Sequence, residues 1–145
     1  MLLGATLALF AADGRAEIRT VAVPSANFRA GPSPKEPVLF SADRYYPVEV
    51  IGQHKDWLRV RDFQGDEAWV SASLLGRARA VVVTAEVANI RDKPTRDATV
   101  VHTAEQGAVF VVAGKRGCWV SVADAEGVIG WVHEGVLWGS LDSRL

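Results

Sequence analysis

The strongest constraint on the fold is an internal repeat, because one pattern of residues occurs twice at a constant spacing. Trp57 and Trp69 recur as Trp119 and Trp131, in each case 62 positions later. The same spacing relates further pairs, with no gap between the first and the last: Asn27 and Asn89, Arg29 and Arg91, Pro32 and Pro94, Val38 and Val100, Gly52 and Gly114, Asp62 and Asp124, Gly65 and Gly127, and Leu75 and Leu137. A unit of about sixty residues is therefore present twice.

Each unit contains short strands separated by turn residues. Residues 47–51 and 57–61 alternate apolar and polar side chains, as strands with one buried face do. A turn with a glycine, 62–65, joins the second of these strands to 67–70 as a hairpin. No segment has the periodicity of a convincing amphipathic helix. The sequence therefore predicts an all-β fold made of two tandem small SH3-like β-barrels joined by a short linker.

Glycine and proline residues mark the expected connections. Residues 27–34 predict a loop, which the apolar side chain of Phe28 would anchor on the core. Gly52 and the polar residues 53–56 predict the next turn, and 71–75 predict one short helical turn. The expected domains are 17–76 and 80–138, followed by a tail, 139–145, that is frayed.

The first sixteen residues differ in kind from the rest of the chain. Residues 2–12 form an apolar run that is too short to span a bilayer but has the length of a signal-peptide core. Gly14 and Ala16 place small side chains before a cleavage point after residue 16. A basic segment before the run is missing, so a frayed terminus or a retained membrane anchor are the alternatives. The segment 1–16 is predicted to be a signal peptide.

Charge and cysteine content exclude several classes of function. The formal net charge is −1, and the charges are spread evenly between the two halves. Nucleic-acid binding needs clustered Lys and Arg, so it is disfavoured. Cys118 is the single cysteine, which rules out an intramolecular disulfide. The alternatives for this residue are a reactive thiol or a small residue at the entrance of a strand, and the second is favoured.

Four motifs occur in the same order in both units. They are 27–33 (NFRAGPS) with 89–95 (NIRDKPT), the turns at Gly52 and Gly114, 57–60 (WLRV) with 119–122 (WVSV), and 68–70 (AWV) with 130–132 (GWV). In this combination the chain resembles the bacterial SH3-like (SH3b) domains of cell-envelope proteins over nearly all of 21–138. Two departures indicate that the copies are not functionally equal. Ala68 stands where the family has glycine, and Asp92 and Lys93 replace Ala30 and Gly31 of the first copy.

The resemblance implies a secreted, non-enzymatic binding module, located in the periplasm of a Gram-negative bacterium. Its implied ligand is peptidoglycan, bound through the stem peptide. The alternative is a protein–protein adaptor or a targeting subunit for an envelope enzyme. A third alternative is a hydrolase fragment whose catalytic part was lost or lies in a partner gene. No cofactor and no stable membrane insertion beyond an uncleaved leader are expected, and the chain is expected to be a monomer.

The repeated tryptophans are candidates for ligand contact. In the strand after Trp57, Leu58 and Val60 take the core phase, so the indole shares its face with Arg59 and Arg61. An aromatic ring in the polar phase of a strand marks a contact surface. Trp119 is the equivalent candidate in the second copy. The alternative is that each ring caps its barrel. Trp69 and Trp131 are expected to be structural.

Two arginines and two tyrosines complete the candidate set. Arg29 and Arg91 recur at one position, where a guanidinium would hold a carboxylate or, as the favoured alternative, pin the loop by a hydrogen bond. Tyr45 and Tyr46 occur in the first copy alone, and an exposed tyrosine pair is good contact surface. The first domain is therefore the favoured site of ligand binding.

Catalysis and metal binding have little support. His54, His102 and His133 lack the spacing of metal ligands, and each corresponds to a different residue type in the other copy. Cys118 has no histidine near it in the sequence, and no nucleophile or phosphate-loop motif occurs. The chain is expected not to be an enzyme.

Overall fold

The computed structural model describes residues 16–142, which divide into two compact units after Ala78. Apart from Ala16, the predicted signal peptide lies outside the described residues. No helix among residues 16–142 is long and apolar enough to cross a membrane.

The first domain is a seven-stranded antiparallel sheet. Its strands are β1 (Ile18–Val21), β2 (Ser25–Arg29), β3 (Val38–Asp43), β4 (Pro47–His54), β5 (Trp57–Arg61), β6 (Glu67–Ser71) and β7 (Leu75–Gly76), and a 3-10 turn at Ala72–Leu74 precedes β7. The order across the sheet is β3-β2-β6-β5-β4-β1-β7.

The second domain repeats this topology. Its strands are β8 (Ala80–Val83), β9 (Val87–Arg91), β10 (Val100–Glu105), β11 (Val109–Arg116), β12 (Trp119–Asp124), β13 (Gly127–His133) and β14 (Leu137–Gly139), with a 3-10 turn at Glu134–Val136. The order is β10-β9-β13-β12-β11-β8-β14. The all-β prediction of two SH3-like domains is confirmed, because both units have the same strand order and no α-helix occurs in 16–142.

Each sheet curls around one apolar core. In the first domain every one of the seven strands contributes at least one buried side chain to a single cluster, which a flat sheet could not do. Phe28 lies at the centre of this cluster and is completely buried, as its predicted anchoring role requires. In the second domain Ile90 takes the equivalent position and is 1% exposed.

Two predicted connections start too early, because strand pairing continues into their first residues. The connections themselves lie at 30–37 and 55–56. Asn27 and Phe28 lie on β2, paired with Ser41 and Phe40 of β3, so the loop begins only after Arg29. Gly52 lies inside β4, which continues to His54, and the sheet register shifts beside this glycine. The same shift occurs beside Gly114 in β11. The glycines therefore mark β-bulges and not the turns themselves.

A further bulge distinguishes the two domains. In the second domain the register shifts between Val122 and Ala123, so that Val122 pairs with Gly130 and Ala123 pairs with Val128. The bulged backbone gives Gly130 a φ of 150°, a conformation that favours glycine. The matching hairpin of the first domain pairs Val60 with Ala68 without a shift. Gly130 therefore serves the bulge, and Ala68 stands at the equivalent position of the first domain, where the bulge is missing.

The predicted frayed tail starts too early. Gly139 pairs with Val81 as the last residue of β14. Ser140 is buried, its backbone N–H donates to the carbonyl of Ala80, and its hydroxyl accepts from the N–H of Ala80 at 3.1 Å. This second-domain sheet therefore extends past residue 138.

Candidate functional site

The two candidate tryptophans each begin the central strand of three consecutive antiparallel strands. Trp57 opens β5 and pairs with Ser71, whereas Trp119 opens β12 and pairs with His133. Both rings are half-buried, and the next residue of each strand points into the core. The two tryptophans thus occupy equivalent positions on their strands, but their side chains have different neighbours.

A groove lies beside Trp119 in the second domain, with a cavity volume of about 300 Å³. We call it the second-domain groove. Its apolar lining consists of Val87, Ala88, Trp119 and Val136, and its polar lining consists of Asn89, Arg91, Arg96 and His133. Strands β9, β12 and β13, the loop 92–99 and the 3-10 turn supply these residues. Trp119 and Arg91, two of the residues predicted from the sequence, are therefore brought together in one concave site.

The ring of His133 is held in place from two sides. It meets the indole of Trp119 edge to face, with 5.2 Å between ring centroids. Its Nδ1 accepts a hydrogen bond from the backbone N–H of Gly135 at 3.0 Å. Because Nδ1 is an acceptor, the neutral ring carries its hydrogen on Nε2, which is then a donor.

The repeated arginines both pin the loop that follows them. Nη1 of Arg29 donates to the carbonyl of Glu36 at 3.0 Å, and Nη1 of Arg91 donates to the carbonyl of Ala98 at 2.8 Å. These acceptors are equivalent under the 62-residue spacing. The hydrogen bond of the loop-pinning alternative is therefore present in both domains, and it leaves other guanidinium N–H groups for a ligand.

The two tyrosines lie away from Trp57. They occupy the turn before β4, whereas Trp57 pairs with His54 at the far end of this strand. A strand of eight residues is roughly 20 Å or more in length. The structure therefore does not bring Tyr45 and Tyr46 together with Trp57 as one contact surface.

The tyrosines also differ from each other. Tyr45 is 38% exposed and has a φ of 77°. Tyr46 packs edge to face on Phe28, and its hydroxyl donates to Oδ2 of Asp62 at 2.9 Å. Asp62 is 5% exposed, and its Oδ1 accepts the backbone N–H groups of Gln64 and Asp66. Tyr46 therefore supports the β5–β6 turn and is not an exposed contact residue.

The pair of Tyr46 and Asp62 makes the first domain sensitive to alkali. Burial, followed by the hydrogen bond and the charge of Asp62, raises the pKa of Tyr46. A raised folded-state pKa gives stability that is fully present below the unfolded value of about 10 and is lost as pH rises above it. We expect Tyr46→Phe to lower the free energy of unfolding of the first domain by about 1–2 kcal/mol at neutral pH. The variant should also lack the loss of stability at high pH that comes from ionisation of Tyr46.

Denaturant unfolding between neutral pH and pH 11 measures both effects. Tyr45→Phe is the matched control, and it should change the free energy of unfolding by less than about 0.5 kcal/mol. Equal losses for the two variants would contradict the role given to the hydrogen bond.

Charges cover the outer face of the first domain beside its hairpin. Arg59 forms an ion pair with Glu67 at 2.7 Å, and Arg61 lies 3.2 Å from Glu49 and 3.8 Å from Glu67. The arginines that share the face of Trp57 are therefore paired with carboxylates. The equivalent positions of the second domain are uncharged: Val111, Ser121, Ala123 and Ile129. There the guanidinium of Arg116 lies 5.8 Å from the ring centroid of Trp131.

Cys118 is exposed in the turn before β12. A hydrogen bond from Lys115, which lies 3.1 Å from the carboxylate of Glu134, lowers the pKa of this carboxyl, and the Cys118 thiol adds a smaller contribution in the same direction. No group of three or more His, Cys, Asp or Glu residues in 16–142 is placed to hold a metal ion.

Six of the eight residues that line the second-domain groove are not among the site residues predicted from the sequence, and the polar ones are Asn89, Arg96 and His133. Arg96 lies in the loop 92–99, where no periodicity reveals which side chains face a groove. His133 carried a usable signal, because the hairpin places it opposite Trp119. The comparison of the two copies also pointed to the first domain, whereas this groove lies in the second.

Comparisons with known proteins agree with the repeat. A sequence model described as the bacterial SH3 domain matches residues 22–76 and 84–139. No curated protein matches the chain.

Several solved structures match this chain over about half of their own length. NlpC2 from Trichomonas vaginalis shares 16% identity at a TM-score of 0.39, covering 86% of this chain and 48% of that one. NlpC1 from the same organism shares 18% at 0.36, covering 99% and 54%. An NlpC/P60 family protein from Bacillus cereus shares 12% at 0.40, covering 84% and 56%. Similarity at this level does not establish a shared function.

Proposed function

Because this chain belongs to the bacterial SH3 domain family and carries two of its domains in tandem, we propose that it is a non-enzymatic binding module of the bacterial cell envelope. The proposed ligand is peptidoglycan, recognised through its stem peptide. The observation that carries this proposal is the second-domain groove, where an aromatic ring and several hydrogen-bonding side chains line one cavity.

The groove has the chemistry of a peptide site. Trp119 offers a flat apolar surface, and Val87 and Val136 extend it. Asn89 has both donors and an acceptor, so its amide can pair with a peptide group. A volume of about 300 Å³ is at the small end of ligand sites. It suits a short segment of a peptide better than a long stretch of a polymer.

The proposed site lies in the second domain and not in the first. Trp57 and Arg29 stand at the positions equivalent to Trp119 and Arg91, but Tyr45 and Tyr46, which favoured the first domain, lie at the other end of β4. The first domain is proposed to act as a rigid spacer or a weaker second site.

Retention of the full chain by purified peptidoglycan sacculi tests the proposal. We expect the parent protein to be retained and Trp119→Ala to weaken binding about thirtyfold, since truncating a central tryptophan costs about 2 kcal/mol. Trp57→Ala is the matched control, because it removes the equivalent ring from the other domain, and it should weaken binding less than about threefold.

Both variants must first give the circular dichroism spectrum of the folded parent. A parent protein that sacculi do not retain contradicts the peptidoglycan proposal and leaves the protein–protein adaptor as the alternative. Binding that Trp57→Ala abolishes and Trp119→Ala leaves intact contradicts the placement of the site in the second domain.

A further inference from the structure

The charged side chains that line the second-domain groove are all positive. Arg91 and Arg96 are cationic, His133 and Asn89 offer hydrogen-bond donors, and no lining residue is acidic. Asp92 and Asp97 lie in the same loop as Arg96 but do not line the groove. A site with this lining attracts a negatively charged group.

The donors of the groove are available to a ligand. Within residues 16–142, neither the exposed guanidinium of Arg96 nor the side-chain amide of Asn89 has a hydrogen bond or an ion pair. Arg91 uses Nη1 for the carbonyl of Ala98, which fixes its side chain and leaves further N–H groups. His133 keeps Nε2 as a donor, because Nδ1 already accepts from Gly135.

We propose that the second-domain groove binds the carboxylate of a peptide C-terminus, with Arg91, Arg96 and His133 as its donors and Trp119 as the wall for the last side chain. Guanidinium groups match the planar geometry of a carboxylate. The amide oxygen of Asn89 can accept the N–H of the terminal residue. This inference rests on the proposed function and names the part of the peptide that is recognised.

The first domain lacks this site although it keeps the tryptophan. Under the 62-residue spacing, Pro34 replaces Arg96 and Ser71 replaces His133. Oδ1 of Asn27, which is equivalent to Asn89, already accepts a hydrogen bond from the hydroxyl of Ser41 at 3.2 Å. The cationic donor Arg96 is thus missing from the first domain, and its asparagine is engaged. The hydroxyl of Ser71, which replaces His133, is hydrogen-bonded to that of Ser73 at 3.0 Å.

Titration of the full chain with N-acetyl-Ala-Ala, followed by two-dimensional NMR, tests the inference. We expect shifts of the Trp119 indole N–H and of the backbone amides from 89 to 96, with smaller shifts at Trp57. The same dipeptide with an amidated C-terminus should bind at least about tenfold more weakly, because its neutral end cannot make the charge-assisted hydrogen bonds. Equal affinity for the acid and the amide would overturn the inference. Inorganic phosphate that produces the same shifts at equal affinity would also overturn it.

Two variants probe the donors, and a third is their control. Arg96→Gln and His133→Ser, the second of which installs the residue of the first domain, should each raise the Kd for the dipeptide acid about fivefold or more. Lys93→Gln removes the same charge as Arg96→Gln from an exposed position of the same loop outside the groove. A loss with Lys93→Gln equal to that with Arg96→Gln would overturn the inference.

The outcomes separate this inference from the proposed function. If Arg96→Gln and His133→Ser leave the binding to sacculi intact, and the dipeptide acid does not bind, the envelope module is supported and the carboxylate site is overturned. Dipeptide binding in the groove without retention by sacculi supports the carboxylate site and contradicts the peptidoglycan proposal.

Discussion

Gly130→Ala is expected to destabilise the second domain by about 3 kcal/mol or more. An added Cβ would lie 2.6 Å from the carbonyl oxygen of Arg91 and 2.7 Å from Cγ2 of Ile90. The first of these contacts is with the backbone of β9, which cannot rotate away. The φ of 150° adds backbone strain for any residue with a side chain.

Gly127→Ala is the matched control for the clash. Gly127 also has a positive φ, 123°, but nothing lies within 4 Å of its added Cβ. This variant should cost only the backbone strain, about 1–2 kcal/mol. Denaturant unfolding followed by NMR signals of the second domain measures both variants. A cost for Gly130→Ala no greater than that for Gly127→Ala would contradict the close approach of β13 to β9.

Phe28→Ala is expected to remove a large fraction of the stability of the first domain. Phe28 is fully buried, stacks on Phe40 with 4.8 Å between ring centroids, and meets Tyr46 edge to face at 6.5 Å. Truncating such a ring costs about 3–5 kcal/mol. A domain of this size has a total stability of about 3–9 kcal/mol, so the loss is a large fraction of the whole.

Leu39→Ala serves as the control, because Leu39 lies next to Phe40 on β3 and is 54% exposed. It should cost less than about 1 kcal/mol. Thermal unfolding, followed by NMR signals of each domain, distinguishes a local loss from a global one. Similar costs for Phe28→Ala and Leu39→Ala would contradict the central position of Phe28 in the core.

The architecture followed from the sequence to a large extent. The 62-residue repeat required two similar units, and the alternation in 57–61 identified a strand and its buried face correctly. These features are readable because strand periodicity depends only on neighbouring residues. The loop predicted for 27–34 begins too early for the opposite reason. Asn27 and Phe28 belong to a strand through their pairing with β3, which lies more than ten residues away.

The site was less predictable than the fold. Trp119 and Arg91 were selected from the sequence and do line one groove, but Tyr46 was selected as a contact residue and is packed against Phe28. Adjacent residues of a turn can have opposite burial, and composition does not distinguish them. Arg96 had no signal in the sequence, because its position in the groove depends on where the loop 92–99 folds back.

The sequence by itself determined that this protein is built from two copies of one small all-β unit, that Phe28 belongs to a core, and that the two copies differ in their candidate surfaces. Only the tertiary structure decided where a groove forms, which arginines are engaged, and why Gly130 cannot carry a side chain. These properties depend on distances between segments that are far apart in the chain, such as the 2.6 Å from the position of an added Cβ at Gly130 to the carbonyl of Arg91. Local patterns of residues carry no information on such distances.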